Sequence, residues 1–335
     1  MRSFPFPLPS LPDAGRVCAA ALLGALLLSG GCADRGGDER EKTLETSPEA
    51  ITVPPFNGAR AFRHLVRQVE FGPRNPNSPG HAACLAYLRS EMQAGGAEVT
   101  LQEFTREGYG GEVLRLTNIV ARFHPRAVER ILLCAHWDTR PRADRDPDPA
   151  RREQPIPGAN DGASGVAVLL ELAFLLRDHV PPCGVDIVLF DGEDYGREGD
   201  LDLYLLGSRH YARTLEPDRF PSFGILLDMV GDSELRLPVE PYSRAYAPDI
   251  VDLVWGRARA LGVDQFVEEE GPAVQDDHLP LNEAGLKTVN IIDFAYPDAT
   301  HRYWHTHADT PEHCSPGSLE AVGSVIAHIV FTGAH

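Results

Sequence analysis

The chain carries several short groups of acidic and histidine residues, and each group directly follows an apolar segment with the length of a buried strand. These groups are His136–Asp138, Asn160–Asp161, Glu193–Asp194, Asp228, Asp276–His278 and Trp304–His305. In a wound α/β sheet the carboxyl ends of the strands share one edge, so side chains distant in sequence can meet there. Because carboxylate and imidazole groups are zinc ligands, the pattern predicts a catalytic zinc site at that edge.

Three of these residues have the properties of ligands to a catalytic zinc ion. Such an ion takes about three protein ligands and keeps one position open. Asp161, Asp194 and His305 are of the right chemical type, and each would come from a different strand end. Asp161 also lies where a helix cap belongs, directly before an apolar helical pattern, so capping alone is an alternative role for it.

Further acids accompany the candidate ligands. Glu193 precedes Asp194 at the mouth of the sheet, and a carboxylate beside a metal ligand is well placed as a general base and acid. Asp228 follows an apolar run, whereas Asp276 and Asp277 lie in a loop. Crowded acids raise each other's pKa, so one of them can hold a proton and donate a hydrogen bond. Taken singly each could be a turn former, but their common position after strands favours one site.

Two of the three tryptophans, Trp137 and Trp304, adjoin candidate site residues. An aromatic side chain in that position can form the wall of a pocket for a small substrate group with one polar end. A place in the hydrophobic core is the alternative for both.

The spacing of apolar residues predicts the elements that position these groups. Helical spacing covers residues 59–71, 79–95, 163–177 and 315–331, and strand patterns cover 99–105, 113–123, 130–135, 185–190, 223–227 and 288–292. Strands that alternate with helices in this way predict an α/β fold, with a mostly parallel central sheet flanked by helices on both faces.

Composition excludes some functions. A chain of 335 residues with 43% hydrophobic content can bury a full core. Its 49 acidic against 31 basic residues give a net charge of −18, which argues against nucleic-acid binding, since that requires a basic surface. Cys84, Cys134, Cys183 and Cys314 form no Cys-x-x-Cys pair, so a structural zinc site built from thiolates is not expected.

The first part of the chain has the order of a secretory signal. Arg2 and Arg16 precede the apolar stretch Val17–Leu28, which is followed by small residues and Cys32. The segment resembles a bacterial lipoprotein signal in which Cys32 becomes the lipidated first residue. We therefore expect a signal peptide over 1–32, a flexible tether over 33–56 and a single α/β catalytic domain over 57–335. This organisation predicts an exported protein of the periplasm or cell envelope that is anchored to the membrane through Cys32.

Five segments resemble the animal-type glutaminyl cyclases (glutaminyl-peptide cyclotransferases), including their bacterial members. They are Gly158–Gly165, Asp191–Asp194, Leu226–Asp228, Gln275–Pro280 and Trp304–Thr306, within a similarity that extends over roughly 57–330. These enzymes share their fold with the di-zinc aminopeptidases. Aminopeptidases usually carry Ser-Asp-His and Tyr-His where this chain has Asp276-Asp277-His278 and Trp304-His305, so both positions take the cyclase form.

The resemblance implies an activity and a role for each site residue. The activity is conversion of the N-terminal glutamine of peptides and proteins to pyroglutamate, with release of ammonia. The implied roles are one zinc ion bound by Asp161, Asp194 and His305, proton transfer by Glu193, an acidic hydrogen-bonded pair formed by Asp228 and Asp276, and a substrate pocket lined by Trp304. Two departures are that Asp194 replaces a glutamate found in many animal members, and that Asn290 aligns with a pocket histidine.

Two other functions are compatible with the same residues. In a di-zinc aminopeptidase, Asp161 would bridge two zinc ions, with His136 and Asp228 on the second ion and Asp138 as a further ligand or a supporting residue. There the metals would generate hydroxide, which Glu193 would activate. A non-catalytic binding module on the same fold is the third hypothesis, and retention of every ligand type argues against it.

Overall fold

The computed structural model describes residues 53–333 of the chain. The predicted signal peptide 1–32 and most of the predicted tether lie outside the described residues. The predicted end of the tether at residue 56 was wrong, because Val53 packs against the core and Phe56 is buried. A Cβ atom at Gly323 would overlap with the ring of Phe56, so this ring is held closely by the last helix. Within the described residues, no helix has both the length and the apolar character needed to cross a membrane.

Eight strands and eight α-helices make up the described part of the chain. In chain order they are α1 (Gly58–Glu70), α2 (Pro79–Ala94), β1 (Glu98–Glu107), β2 (Val113–Phe123), β3 (Arg130–His136), α3 (Ser164–Asp178), β4 (Gly184–Phe190), α4 (Leu206–Ala212), β5 (Gly224–Asp228), β6 (Leu237–Val239), α5 (Pro241–Tyr246), α6 (Pro248–Leu261), β7 (Phe266–Glu270), α7 (His278–Glu283), β8 (Thr288–Ile292) and α8 (Pro316–Thr332). Short 3-10 turns occur at Pro149–Arg151, Pro217–Arg219 and Pro311–His313.

Six strands form the central sheet in the order β1-β2-β4-β3-β5-β8. The four strands β4, β3, β5 and β8 are mutually parallel, whereas β1 pairs antiparallel with β2 and β2 pairs antiparallel with β4. Every residue of β3 and of β4 is buried, as expected for central parallel strands covered on both faces. The mostly parallel sheet predicted from the sequence is confirmed, with an antiparallel extension on one side.

Successive side chains on a strand point to opposite faces of the sheet, so an entirely apolar strand makes both faces apolar. Helices cover both of these faces. Leu133, Ile187 and Ile225 belong to a core cluster with residues of α1, α3 and α8. Their neighbours Leu132, Val188 and Leu226 belong to a second cluster with Tyr211 of α4 and Leu281 of α7. The layered arrangement of helix, sheet and helix is therefore the one predicted.

The parallel strands bring their carboxyl ends to one edge, and the candidate residues lie there. β3 ends at His136, β5 ends at Asp228, and the segment Asp191–Asp194 follows the last residue of β4. Asp161 lies shortly before α3, separated from it by Gly162 and Ala163, and His305 lies in the loop between β8 and α8.

Candidate metal centre and active site

The structure brings Asp161, Asp194 and His305 together, each offering one ligand atom within 4.8 Å of the others. The His305 Nε2 atom lies 3.6 Å from Asp161 Oδ2 and 3.5 Å from Asp194 Oδ1. A tetrahedral zinc ion with bonds of about 2.0–2.2 Å requires ligand atoms roughly 3.3–3.6 Å apart. All three residues are buried. The arrangement therefore fits a single zinc ion.

The polar atoms of the cluster also fit a cation. Asp194 Oδ2 is buried and has no hydrogen-bond partner among residues 53–333, and such an atom is costly to bury unless a cation or a donor satisfies it. Burial raises the pKa of Asp194 to about 6, against the opposing effect of Arg140. At Asp161 burial acts in the same direction, but the hydrogen bond and charge of His136 together with the charges of His305 and Arg140 outweigh it and lower the pKa of this carboxyl.

The backbone at His305 is in an unusual conformation. Its φ angle is +56°, in the left-handed region that residues other than glycine seldom adopt. A conformation of this kind costs on the order of 1–3 kcal/mol and persists where the surroundings impose it, often at functional sites. The stacking of the His305 ring on Trp304, with 3.8 Å between ring centroids, is part of those surroundings.

A second group lies beside the first and shares Asp161. His136 Nε2 is 3.2 Å from Asp161 Oδ1 and 3.2 Å from Asp228 Oδ1, and the three residues meet the same 4.8 Å criterion. Asp161 thus presents one oxygen to His136 and the other to His305. Asp138 supports this group, with its Oδ1 atom 3.6 Å from His136 Nδ1. The two-ion arrangement of the aminopeptidase hypothesis is therefore also compatible with the side-chain positions.

Glu193 is presented by a tight turn after β4. Gly192 has a φ angle of +73°, which glycine adopts without strain. The backbone N–H groups of Glu193 and Asp194 donate to the two carboxylate oxygens of Asp138, at 3.0 and 3.3 Å. Burial raises the pKa of Glu193 well above its usual value, and the negative charge of Asp194 raises it further. A carboxyl group with a raised pKa that is held beside the candidate ligands has the properties of a proton carrier.

Asp228 and Asp276 are close neighbours whose hydrogen bonds run to other groups. Burial raises the pKa of Asp228 to about 7, and the charge of Asp276 contributes to the increase. Asp228 accepts from His136, while Asp276 accepts from Asn290 Nδ2 at 2.7 Å. The direct hydrogen bond between the two acids implied by the resemblance stays a prediction. Asn290, which aligns with a histidine of the animal enzymes, supports Asp276 from β8.

The loop that carries Asp276 is fixed by its neighbours. Ser208 donates to the buried carboxylate of Asp277 at 2.5 Å, and His278 Nε2 lies 3.2 Å from Glu240 Oε2. Asp277 and His278 therefore hold the loop in place and lie outside both ligand groups.

The two tryptophans next to site residues have different environments. Trp304 is half-buried and contacts His305, Phe294 and the guanidinium group of Arg145, so it borders the candidate site. Trp137 is fully buried, and its ring stacks on His81 with centroids 4.4 Å apart. The prediction that Trp137 lines the pocket was wrong. It continues the side-chain alternation of β3 and falls on the core face, opposite to His136.

Four polar residues that support the site, three of them buried, were not predicted from the sequence. Arg74 donates to the carbonyl oxygens of Trp137, Pro157 and Gly158. Asp309 accepts from the backbone N–H groups of Asn160 and Asp161, at 2.8 and 3.1 Å, and so holds the segment before α3. Arg140 and Asp144 contact the candidate ligands themselves. All four lie in irregular segments, where apolar periodicity gives no indication of burial.

Comparisons with known proteins agree with this site. The model of peptidase family M28 matches residues 118–330. A mouse protein named glutaminyl-peptide cyclotransferase-like protein is 26% identical over 282 residues, covering 76% of this chain and 70% of its own. The crystal structure of Bacteroides thetaiotaomicron glutaminyl cyclase is 39% identical with a TM-score of 0.80, over 84% of this chain and 100% of that one. A structure described as a Zn-dependent exopeptidase from Parabacteroides distasonis is 38% identical with a TM-score of 0.81, over the same shares.

Proposed function

The chain belongs to peptidase family M28, and from this membership we propose that it is a zinc-dependent glutaminyl-peptide cyclotransferase. Its substrates would be peptides and proteins with an N-terminal glutamine, and its products pyroglutamate and ammonia. The observation that carries the proposal is the convergence of Asp161, Asp194 and His305 beside Glu193. Similarity to solved glutaminyl cyclases over the whole length of those chains supports it.

Asp161, Asp194 and His305 would hold the zinc ion. Their ligand atoms have the mutual distances that one ion requires, and Asp194 Oδ2 lacks another partner in the described part of the chain. When bound there, zinc would act as a Lewis acid on the side-chain amide carbonyl of the substrate glutamine.

Glu193 would move the proton that the reaction must transfer. It takes a proton from the α-amine of the substrate, and the amine nitrogen forms a bond with the side-chain amide carbon of the same residue. The bond between that carbon and the amide nitrogen breaks, and Glu193 returns the proton to the departing ammonia. No water is consumed, and the two reacting groups are already held within one residue.

An aminopeptidase is the second candidate function. It is favoured by the group formed by His136, Asp161 and Asp228, which has the ligands for a second ion. Against it stand Asp276 and Trp304, which take the form of the cyclases at positions where aminopeptidases usually carry serine and tyrosine. Zinc content separates the two functions, since we expect one ion per chain in the cyclase and two in the aminopeptidase.

One assay tests the proposal directly. The purified domain is incubated with a peptide that begins with glutamine and with a matched peptide that begins with leucine. Ring closure lowers the mass of the first peptide by one ammonia, whereas hydrolysis removes the first residue and shortens the chain. Shortening of the leucine peptide, without ring closure of the glutamine peptide, would establish the aminopeptidase instead.

We also propose that the protein is exported and attached to the membrane of the cell envelope through a lipid on Cys32. The order of Arg2, Arg16, the apolar stretch and Cys32 supports this. Replacement Cys32→Ser should move the protein from the membrane fraction to the soluble fraction. Unchanged membrane association of this variant would contradict the anchor.

A further inference from the structure

Arg140 is a buried arginine whose hydrogen bonds go to the candidate ligand Asp194 and to a neighbouring acid. Its side chain is 1% exposed. The Nη1 atom donates to Asp194 Oδ1 at 2.6 Å and to the Asp194 carbonyl oxygen at 3.2 Å. The Nε and Nη2 atoms donate to the two carboxylate oxygens of Asp144, at 2.9 and 2.6 Å, and Nη2 also donates to the Tyr204 hydroxyl. The guanidinium group is therefore fixed in one orientation.

Asp144 continues this network to a second candidate ligand. Its Oδ1 atom lies 3.6 Å from His305 Nδ1, while His305 Nε2 faces Asp161 and Asp194. An acid beside one ring nitrogen of histidine favours the proton on that nitrogen, which leaves the other nitrogen free as a ligand. Arg140 and Asp144 thus contact two of the three candidate ligands, Asp194 at its Oδ1 atom and His305 on the side of its Nδ1 atom.

We infer that Arg140 and Asp144 are positioning residues, which fix the Asp194 carboxylate and the His305 ring in the orientations that bind zinc. The inference rests on the proposed function, since it requires zinc at this site. The hydrogen bonds of Arg140 hold Asp194, whose side chain is one methylene shorter than glutamate and reaches less far. A rotated Asp194 would withdraw a ligand oxygen.

The positive charge of Arg140 and its hydrogen bonds to the candidate ligand have opposite effects on zinc binding. A guanidinium cation repels a zinc ion, so on charge alone Arg140 would weaken binding. Asp144, however, is paired with Arg140 through two hydrogen bonds and offsets its charge. We therefore expect orientation to be the larger effect, and a substitution that keeps the charge isolates it.

Replacement Arg140→Lys keeps the positive charge and removes the planar group that bonds Asp194 and Asp144 at once. We expect its zinc affinity to fall by about 10–100-fold, the usual effect of losing a partner of a metal ligand. Asp144→Asn removes the charge beside His305 and should lower the affinity in the same direction. The matched control is Arg142→Lys, because Arg142 lies in the same loop but donates to the Tyr195 and Gly196 carbonyl oxygens and packs on the rings of Tyr109 and Tyr195 instead of bonding a candidate ligand side chain.

Zinc affinity is measured by competition with a chromophoric chelator, and the visible absorption of the cobalt-substituted protein reports the ligand geometry. Equal affinity and an unchanged cobalt spectrum in Arg140→Lys would overturn the inference, as would an equal loss in Arg142→Lys. If Arg140→Lys does not fold, Asp144→Asn decides, since Asp144 is 30% exposed. Failure of the wild-type protein to bind zinc would overturn the proposed function together with this inference. Zinc-bound, active wild type with normal affinity in both variants would overturn this inference alone.

Discussion

Glu193 has an environment unlike that of the other acids near the site. It directly precedes a candidate ligand, its backbone is held by Asp138, and its pKa is raised well above the usual value by burial and by acidic neighbours. A carboxyl group with a raised pKa is more effective in proton transfer than one that stays ionised. At the residue scale, the proposed chemistry depends on this side chain.

Replacement Glu193→Gln should therefore separate catalysis from metal binding. The amide keeps the size of the side chain and cannot accept a proton from the substrate amine, so kcat should fall by about 10²–10⁴-fold. Zinc content, measured by elemental analysis, should stay at the wild-type value. Glu198→Gln is the matched control, because Glu198 is exposed on the following loop and should leave kcat unchanged. A Glu193→Gln variant that keeps wild-type kcat would remove Glu193 from the mechanism.

The sequence indicates some residues of the site well and others not at all. Asp194 and Asp228 were predictable because each follows an apolar strand, and strand ends in such a sheet converge. Arg140 lies in a charged, proline-rich stretch that is typical of a solvated loop, and only tertiary contacts bury it. Asp309 has no local pattern either, since its two partners lie about 150 residues away in the chain. Residue types therefore identify the side chains that would contact an ion. The residues that hold these side chains in place can be recognised only once the fold is known.

At the scale of elements, the contact between α3 and β5 connects the two ligand groups. Asp161 precedes α3, and Asp228 is the last residue of β5. Gly165 in the first turn of α3 makes the contact close, because a Cβ atom there would overlap with the carbonyl oxygen of Leu227. A backbone atom of a central strand cannot move aside at low cost, so glycine sets the distance between the two elements.

Replacement Gly165→Ala should push α3 away from β5. We expect a loss of about 1–3 kcal/mol in the free energy of unfolding, as for other overpacked cores, together with weaker zinc binding. Urea unfolding in EDTA measures the first effect and chelator competition the second. Gly256→Ala in α6 is the matched control, since the nearest atom to its Cβ would be Arg259 Nη2 at 3.9 Å. There alanine should stabilise the helix by about 0.5–1 kcal/mol, and a similar gain at position 165 would contradict the close contact.

Elements were predictable where the local pattern is strong. The apolar runs of β3, β4, β5 and β8 were placed within one residue of their observed ends, because central parallel strands are apolar on both faces. The helix α6 was missed, although Pro248 in its first turn and Gly262 after its end are typical helix boundaries. The strands β6 and β7 and the short helices α5 and α7 have no periodicity long enough to detect, and tertiary packing determines them.

At the scale of the whole molecule, the site places several acids in a buried environment on a chain of net charge −18. Burial raises the pKa of Asp228 and Asp309 to about 7 and that of Asp194 to about 6, from a usual value of 3.8. Without a metal ion, the folded protein therefore holds protons that the unfolded chain releases above about pH 4. Of these three acids Asp194 is the candidate zinc ligand, and zinc would displace its proton because ligands bind in the deprotonated form.

This exchange predicts opposite pH dependences for two quantities. They are the stability of the zinc-free protein and the additional stability that zinc provides. Because the folded state binds more protons than the unfolded state between about pH 4 and 7, the zinc-free protein should lose stability as the pH rises through that range. His136 changes the stability in the same direction. The acids around it raise its pKa despite burial, so the stability that its proton contributes is lost as the pH rises through this raised pKa. Asp161 and Asp144, whose pKa values are lowered, change stability only as the pH falls below about 4. The stabilisation by zinc should meanwhile increase with pH, because fewer protons compete for the ligands.

Melting temperatures in EDTA and in excess zinc, at about pH 5, 6 and 7, measure both effects. The difference between the two curves should widen with pH. Repulsion among surface acids also destabilises the zinc-free protein as the pH rises, but salt screens that contribution and screens buried groups much less. If the buried acids cause the decline of the melting temperature in EDTA, this decline should persist at high ionic strength. A decline that disappears in salt would show that repulsion among the surface acids causes it. A melting temperature in EDTA that rises from about pH 5 to 7 would contradict buried acids that hold protons in the folded state, and a zinc effect independent of pH would contradict the displacement of protons by zinc.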